Sequence, residues 1–202
     1  RSAMAANTEG QFNVAVGRRA LYTNTTADEN TAVGYLALYL NETGANNTAV
    51  GNSALQNNTA DNNTAVGDRA LTANTTGDRN TAVGKSAGAT QTTAAQNTFV
   101  GRQAGNSTTS GSNNTFIGER AGLANTEGDE SVAVGQYAYS ANTTGVDNVA
   151  IGRSALAANT TANYNVAMGR SAMISNTVGG LNTAVGTYAL ETNVDGSRNA
   201  AF

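Results

Sequence analysis

Fourteen carboxylates, eleven lysines and arginines and seven tyrosines are the only side chains here that can titrate, because the 202 residues contain no His and no Cys. That removes imidazole general bases, thiol nucleophiles and the usual zinc and redox ligands. Carboxylate chemistry is left, at Asp28, Glu29, Asp61, Asp78, Asp129, Glu130 and Asp147. The pair Asp129-Glu130 can touch a calcium ion, but the nonapeptide phrase of a calcium roll is missing. The acids fall at variable positions and read as solvated turn residues. No catalytic, cofactor-binding or metal-binding residue, no cofactor and no enzymatic activity is expected.

Hydroxyl chemistry is the next candidate. Thr25, Thr59, Thr75, Thr92, Thr109, Thr126, Thr143, Thr160 and Thr177 recur at a regular interval. A threonine ladder on a flat face is the chemistry that binds ice. Glu42 and Val194 interrupt this column, and Glu127, Val178 and Asp195 break the column beside it. A turn ladder with a structural role is the simpler reading. Asn-x-Thr triplets such as Asn24-Thr25-Thr26, Asn41-Glu42-Thr43 and Asn74-Thr75-Thr76 match the glycosylation acceptor. The repeat generates them automatically, and rungs about 4.8 Å apart leave little room for stacked glycans.

All these residues must be positioned by one repeated element. Its landmark is a glycine, at Gly17, Gly34, Gly51, Gly67, Gly84, Gly101, Gly118, Gly135, Gly152, Gly169 and Gly186, spaced 17, 17, 16 and then 17 seven times. A nucleotide-binding glycine fingerprint occurs once per domain; this one occurs once per repeat. So short and strict a period predicts a stacked array with one coil per repeat. The expected fold is all-β, a parallel β-solenoid or β-roll of about twelve 17-residue coils. Residues 1–202 are expected to form a single repeat array, a segment of a longer fibre.

The residue before each glycine is always apolar: Val16, Val33, Val50, Val66, Val83, Val100, Ile117, Val134, Ile151, Met168 and Val185, then Phe202. This column is expected to be a core ladder. One residue earlier lies Ala, replaced by Phe99 and Phe116; another earlier lies Thr or Val; before that lies Asn, replaced once by Ser131. The phrase predicts a short strand. Its two faces alternate, and both are small or apolar. A single coil has only one interior, so the second face predicts a partner, most simply another copy of the chain.

Three residues past the glycine Ala is constant, and the next position is mostly Leu. Gly88, Gly105 and Gly122 replace that Leu close to the copies carrying Phe99 and Phe116. The exchange predicts compensated core volume. The remaining Asn-Thr-Thr-Gly phrase predicts a turn in which Asn and Gly take positive φ. The one short repeat loses its residue there, at Asn58-Thr59-Ala60-Asp61. Two β segments and two turns per coil are expected, with stacked Asn amides bonding along the array.

A net charge of −3 offers no footprint for nucleic acid or an anionic membrane, and no apolar run approaches the roughly 20 residues that span a bilayer. The segments Ser131-Val132-Ala133-Val134-Gly135 and Asn148-Val149-Ala150-Ile151-Gly152 resemble the YadA-like head repeats of trimeric autotransporter adhesins. The Asn-Thr-Ala-Val-Gly and Asn-Thr-Phe-Ile-Gly phrases also resemble repeat shafts of tail-fibre-type proteins. Both resemblances imply a homotrimer of parallel left-handed β-rolls that serves as a stiff stalk or head. They imply an extracellular place on a bacterial surface or phage virion and a cell-surface or matrix receptor. The turns are longer than in the adhesin head repeat, so no receptor site is carried over. An ice-binding solenoid and a self-assembling filament subunit are the alternative expectations.

Overall fold

The computed structural model describes residues 2–202. Twelve strands, β1 (Val14–Val16) to β12 (Ala200–Ala201), form one sheet in sequence order. Every pair is parallel and in register, so that Val14 faces Thr31 and Ala15 faces Ala32, and the pattern repeats to the end. The fold is a β-solenoid in which each coil adds one rung. At about 4.8 Å per rung the sheet runs roughly 55 Å.

Each strand is three residues long, Thr-Ala-Val or a close variant. Only one strand forms per coil, so the expected second β segment is absent among the described residues. Its place is taken by turns that still hydrogen-bond from coil to coil, as in Leu21 N–H to the Ala37 carbonyl at 2.9 Å and Leu38 N–H to Ala54 at 3.1 Å. The backbone achieves this with left-handed residues in three columns, exemplified by Ser53 (φ 54°), Leu55 (φ 50°) and Asn62 (φ 60°). A left-handed residue turns its N–H along the stacking axis: Ser53 N–H reaches the Tyr35 carbonyl at 2.8 Å and Asn62 N–H reaches Ala45 at 3.0 Å. Leu and Tyr rarely adopt this region, at a cost of about 1–2 kcal/mol each. The inter-coil bonds offset that cost. The Asn-Thr-Thr-Gly stretch does turn the chain, but none of its residues has positive φ.

The motif glycines end each strand with φ between 128° and 141°. A Cβ on Gly101 would stand 2.5 Å from the Gly118 carbonyl oxygen. Stacking therefore demands glycine from Gly17 to Gly169, since the backbones meet where a side chain would be.

The coil interior is one side chain deep. It holds the Ala of each strand, the Ala-Leu pair after the glycine and two Asn columns, all fully buried through the middle coils. The valine ladder from Val16 to Val185 is not this core. Its side chains point to the opposite face, where Val16 is 58% and Val83 38% exposed. The reason is the width of the coil: Ala leaves room for the Leu across it, and Val would not.

Where Phe99 and Phe116 replace Ala, the expected volume exchange is a direct contact. A Cβ on Gly105 would lie 2.4 Å from Phe99, and one on Gly122 would lie 2.3 Å from Phe116. The rings stack at 5.6 Å, and Tyr139 continues the row at 6.4 Å. The buried Tyr139 hydroxyl donates to the Gly145 carbonyl (2.9 Å) and accepts from Asn148 Nδ2 (2.6 Å). Burial pushes its pKa well above the usual phenol value.

The Asn columns form hydrogen-bond ladders along the stacking axis. Asn80 Oδ1 accepts the Asn97 N–H at 3.0 Å, and its Nδ2 donates to the Ala94 carbonyl at 2.9 Å. In the other column Asn74 Nδ2 donates to Asn58 Oδ1 at 2.7 Å and to the Gly77 carbonyl at 2.8 Å. Buried polar groups so paired are tolerated in a thin core.

Candidate functional site

Four surface features are available for function. The first is the outer face of the sheet. In each strand the first and third side chains point away from the interior, which sets a Thr or Val column beside the Val, Ile and Met column. Both columns are half-buried or exposed from Thr31 to Val185. Because the strands are in register, the Val, Ile and Met column forms an unbroken apolar stripe along the rod, flanked by the Thr or Val column. The hydroxyls of Thr31, Thr48, Thr64, Thr81, Thr98 and Thr115 on this face hydrogen-bond to no other described residue.

The second feature is the corner threonine column. Each hydroxyl donates to the backbone carbonyl of the next coil, from Thr25 to Glu42 (3.3 Å) through Thr75 to Thr92 (3.0 Å) to Thr177 with Val194 (3.1 Å). These donors are spent inside the protein. The column staples one corner of the solenoid, and it presents no free hydroxyl lattice.

The third is an open notch of about 420 Å³ beside the short coil, lined by Thr43, Thr59, Ala60, Asp61, Thr76 and Asp78. Its carboxylates are already engaged. Asp61 accepts the Ala45 N–H at 2.8 Å, and Asp78 pairs with Arg79 at 3.5 Å. No group of three or more carboxylates converges among the described residues. Asp129, singled out above, accepts the Ser112 N–H at 2.6 Å and is likewise a turn residue.

The fourth is the variable pair after each glycine. It carries most of the lysines and arginines, and three of the tyrosines. Lys85 pairs with Asp68 at 3.6 Å, and Arg102 pairs with Glu119. The Asn52 amide holds the Asp68 carboxyl below its ordinary range, and Arg102 does the same for Glu119. Arginines lie over tyrosines of the next coil: Arg18 over Tyr35, Arg120 over Tyr137 and Arg170 over Tyr188, each at 5.5 Å. Each of these contacts joins residues 17 or 18 apart in the chain and exists only when the coils are stacked.

What fold and surface define together is a repeat rod with one apolar face and decorated corners. Comparison with protein-family models, curated proteins and solved structures found no match. No described helix is long and apolar enough to cross a membrane.

Proposed function

We propose that this chain is a segment of a non-catalytic extracellular fibre, a stalk or head for attachment on a bacterial surface or phage virion. In this reading it works as a homotrimer of parallel rods. The observation that carries it is the unbroken Val, Ile and Met stripe, flanked by the Thr or Val column, on the outer face of the sheet. An exposed apolar strip of this length is costly in water. A second copy, laid parallel, repeats the same 17-residue period and matches it rung by rung. At about 10 Å by 55 Å the strip covers roughly 500 Å² per chain, or about 1,000 Å² for a pair, near the lower limit of a specific interface. Closure about a threefold axis lets each chain use both edges of its strip. Light scattering tests this. A mass near three times 20.4 kDa is expected, and a folded monomer that persists on dilution and concentration alike would refute the assembly.

A second reading is favoured by one observation, the free threonine hydroxyls beside valine methyls on that same flat face. It makes the face an ice-binding surface of a solitary rod. The corner threonines no longer support that reading, because their donors are spent on carbonyls. Thermal hysteresis separates the two: activity from a monomer supports ice binding, and none from an oligomer supports the fibre.

A further inference from the structure

Two arginines and three tyrosines converge on one corner of the first coils. Tyr22 and Tyr39 stack with ring centroids 5.7 Å apart. The Arg19 guanidinium carbon lies 5.9 Å from each of these rings, and that of Arg18 lies 5.5 Å from Tyr35. Arg18, Arg19 and Tyr35 are exposed, whereas Tyr22 and Tyr39 are half-buried. Elsewhere on the rod the arginines are occupied or poorly accompanied. Arg102 pairs with Glu119, and Arg120 donates to Gln103 (3.0 Å) and Tyr137 (2.9 Å). Arg170 has a single tyrosine. Among the described residues, neither Arg18 nor Arg19 makes an ion pair or donates a hydrogen bond. This corner therefore holds two guanidinium forks whose hydrogen-bond donors are unspent, lying against three tyrosine rings of which Tyr35 is the exposed one.

A guanidinium takes a carboxylate or sulfate through two parallel hydrogen bonds. A tyrosine ring takes the C–H face of a pyranose and, having few rotatable bonds, loses little entropy in doing so. We propose that the corner formed by Arg18, Arg19, Tyr22, Tyr35 and Tyr39 binds an acidic saccharide, with a carboxylate or sulfate on the arginines and a sugar ring against tyrosine. This rests on the attachment reading above and gives it a ligand class. A nucleic-acid strand fits less well. It needs a basic track over several nucleotides, whereas the cations here sit on one coil, which also carries Asp28 and Glu29, and the next coil carries Glu42.

The test is calorimetric titration of the intact chain with 3′-sialyllactose and a heparin-derived tetrasaccharide. Lactose, the desulfated tetrasaccharide and an oligo-dT strand are the comparisons. Binding of at least one acidic saccharide is expected, with neither neutral counterpart bound, and the probe that binds tells carboxylate from sulfate. The Arg18→Gln/Arg19→Gln double variant is expected to weaken it by about tenfold or more, and Arg170→Gln to leave it unchanged. Silence from both acidic probes at millimolar concentration, undiminished binding by the double variant, or tighter binding of oligo-dT would each overturn the assignment. Electron microscopy of the same sample keeps the two proposals apart. Straight rods that bind no saccharide sink the corner site alone, while compact particles sink the fibre reading.

Discussion

Thr108 occupies a position that is Asn in most coils, and its buried hydroxyl has no hydrogen-bond partner. The amide ladder breaks there: Asn125 Nδ2 reaches the Gly128 carbonyl (2.9 Å) but finds no amide oxygen in the coil before it. Thr108→Asn is expected to reconnect the ladder and raise stability by about 1 kcal/mol in a denaturant titration; no gain would mean that the ladder contributes little. A second residue-scale test concerns the phenylalanine insertions. Gly105→Leu should destabilise by roughly 1–3 kcal/mol, because the new side chain collides with Phe99. Adding Phe99→Ala, which restores the common Ala and Leu pair, should recover part of the loss. A double-mutant cycle with a coupling near zero would contradict the contact. That contact was legible in the sequence, since the Phe-for-Ala and Gly-for-Leu exchanges fall in neighbouring coils.

At the scale of the coil, the strand and its glycine were readable from one phrase because sterics fix both. The facing of the strand was not. Both of its faces are apolar, so alternation could not say which goes inside, and the larger Val was assigned to the core. The size of the Leu opposite decides instead, and Ala fits. The second half of the coil was misread for a different reason. Its left-handed column is held by Asn or Asp in only four coils (Asn46, Asn62, Asn113, Asp147) and otherwise by Phe, Glu, Arg, Gln, Tyr and Leu, whose types carry no signal for positive φ; the demand comes from bonding to adjacent coils. Gln96 tests this. It is exposed, has φ 59°, and its N–H bonds to the Asp78 carbonyl at 3.0 Å. Gln96→Gly is expected to be neutral or stabilising by up to about 1 kcal/mol, and Gln96→Val to cost about 1–2 kcal/mol. Equal thermal midpoints for the two variants would show that the left-handed column carries no strain.

Across the whole rod, two adjacent residues separate folding from assembly. Ala82 is fully buried in its own coil, and Val83 lies on the outer stripe. Ala82→Asp places an unpaired charge in the core and should unfold the coils around it whatever the oligomeric state. Val83→Asp should keep the β circular dichroism of the parent and, if the proposed trimer packs on this stripe, lower the mass seen by light scattering, because the coil interior is untouched. Unchanged mass with Val83→Asp would locate any interface elsewhere. The arginine and tyrosine corner was only partly legible at this scale. Arg18, Arg19 and Tyr35 follow motif glycines and are plain in the sequence, but the stacking of Tyr22 on Tyr39 joins residues 17 apart and needs the coils in register.

The short coil between Gly51 and Gly67 keeps its strands in register on both sides, with Thr48 facing Thr64 and Thr64 facing Thr81. The missing residue is absorbed at the corner, and nothing propagates along the axis. Length is thus a separable trait of this molecule: the register of the stack does not depend on how many coils it contains, and the cross-section stays the same. Removing residues 68–84, one full period, should give a soluble rod one rung shorter with a nearly unchanged thermal midpoint, whereas removing half a period should abolish folding. A lineage carrying such a gene can vary its reach by copy number, without inventing a new fold at any step.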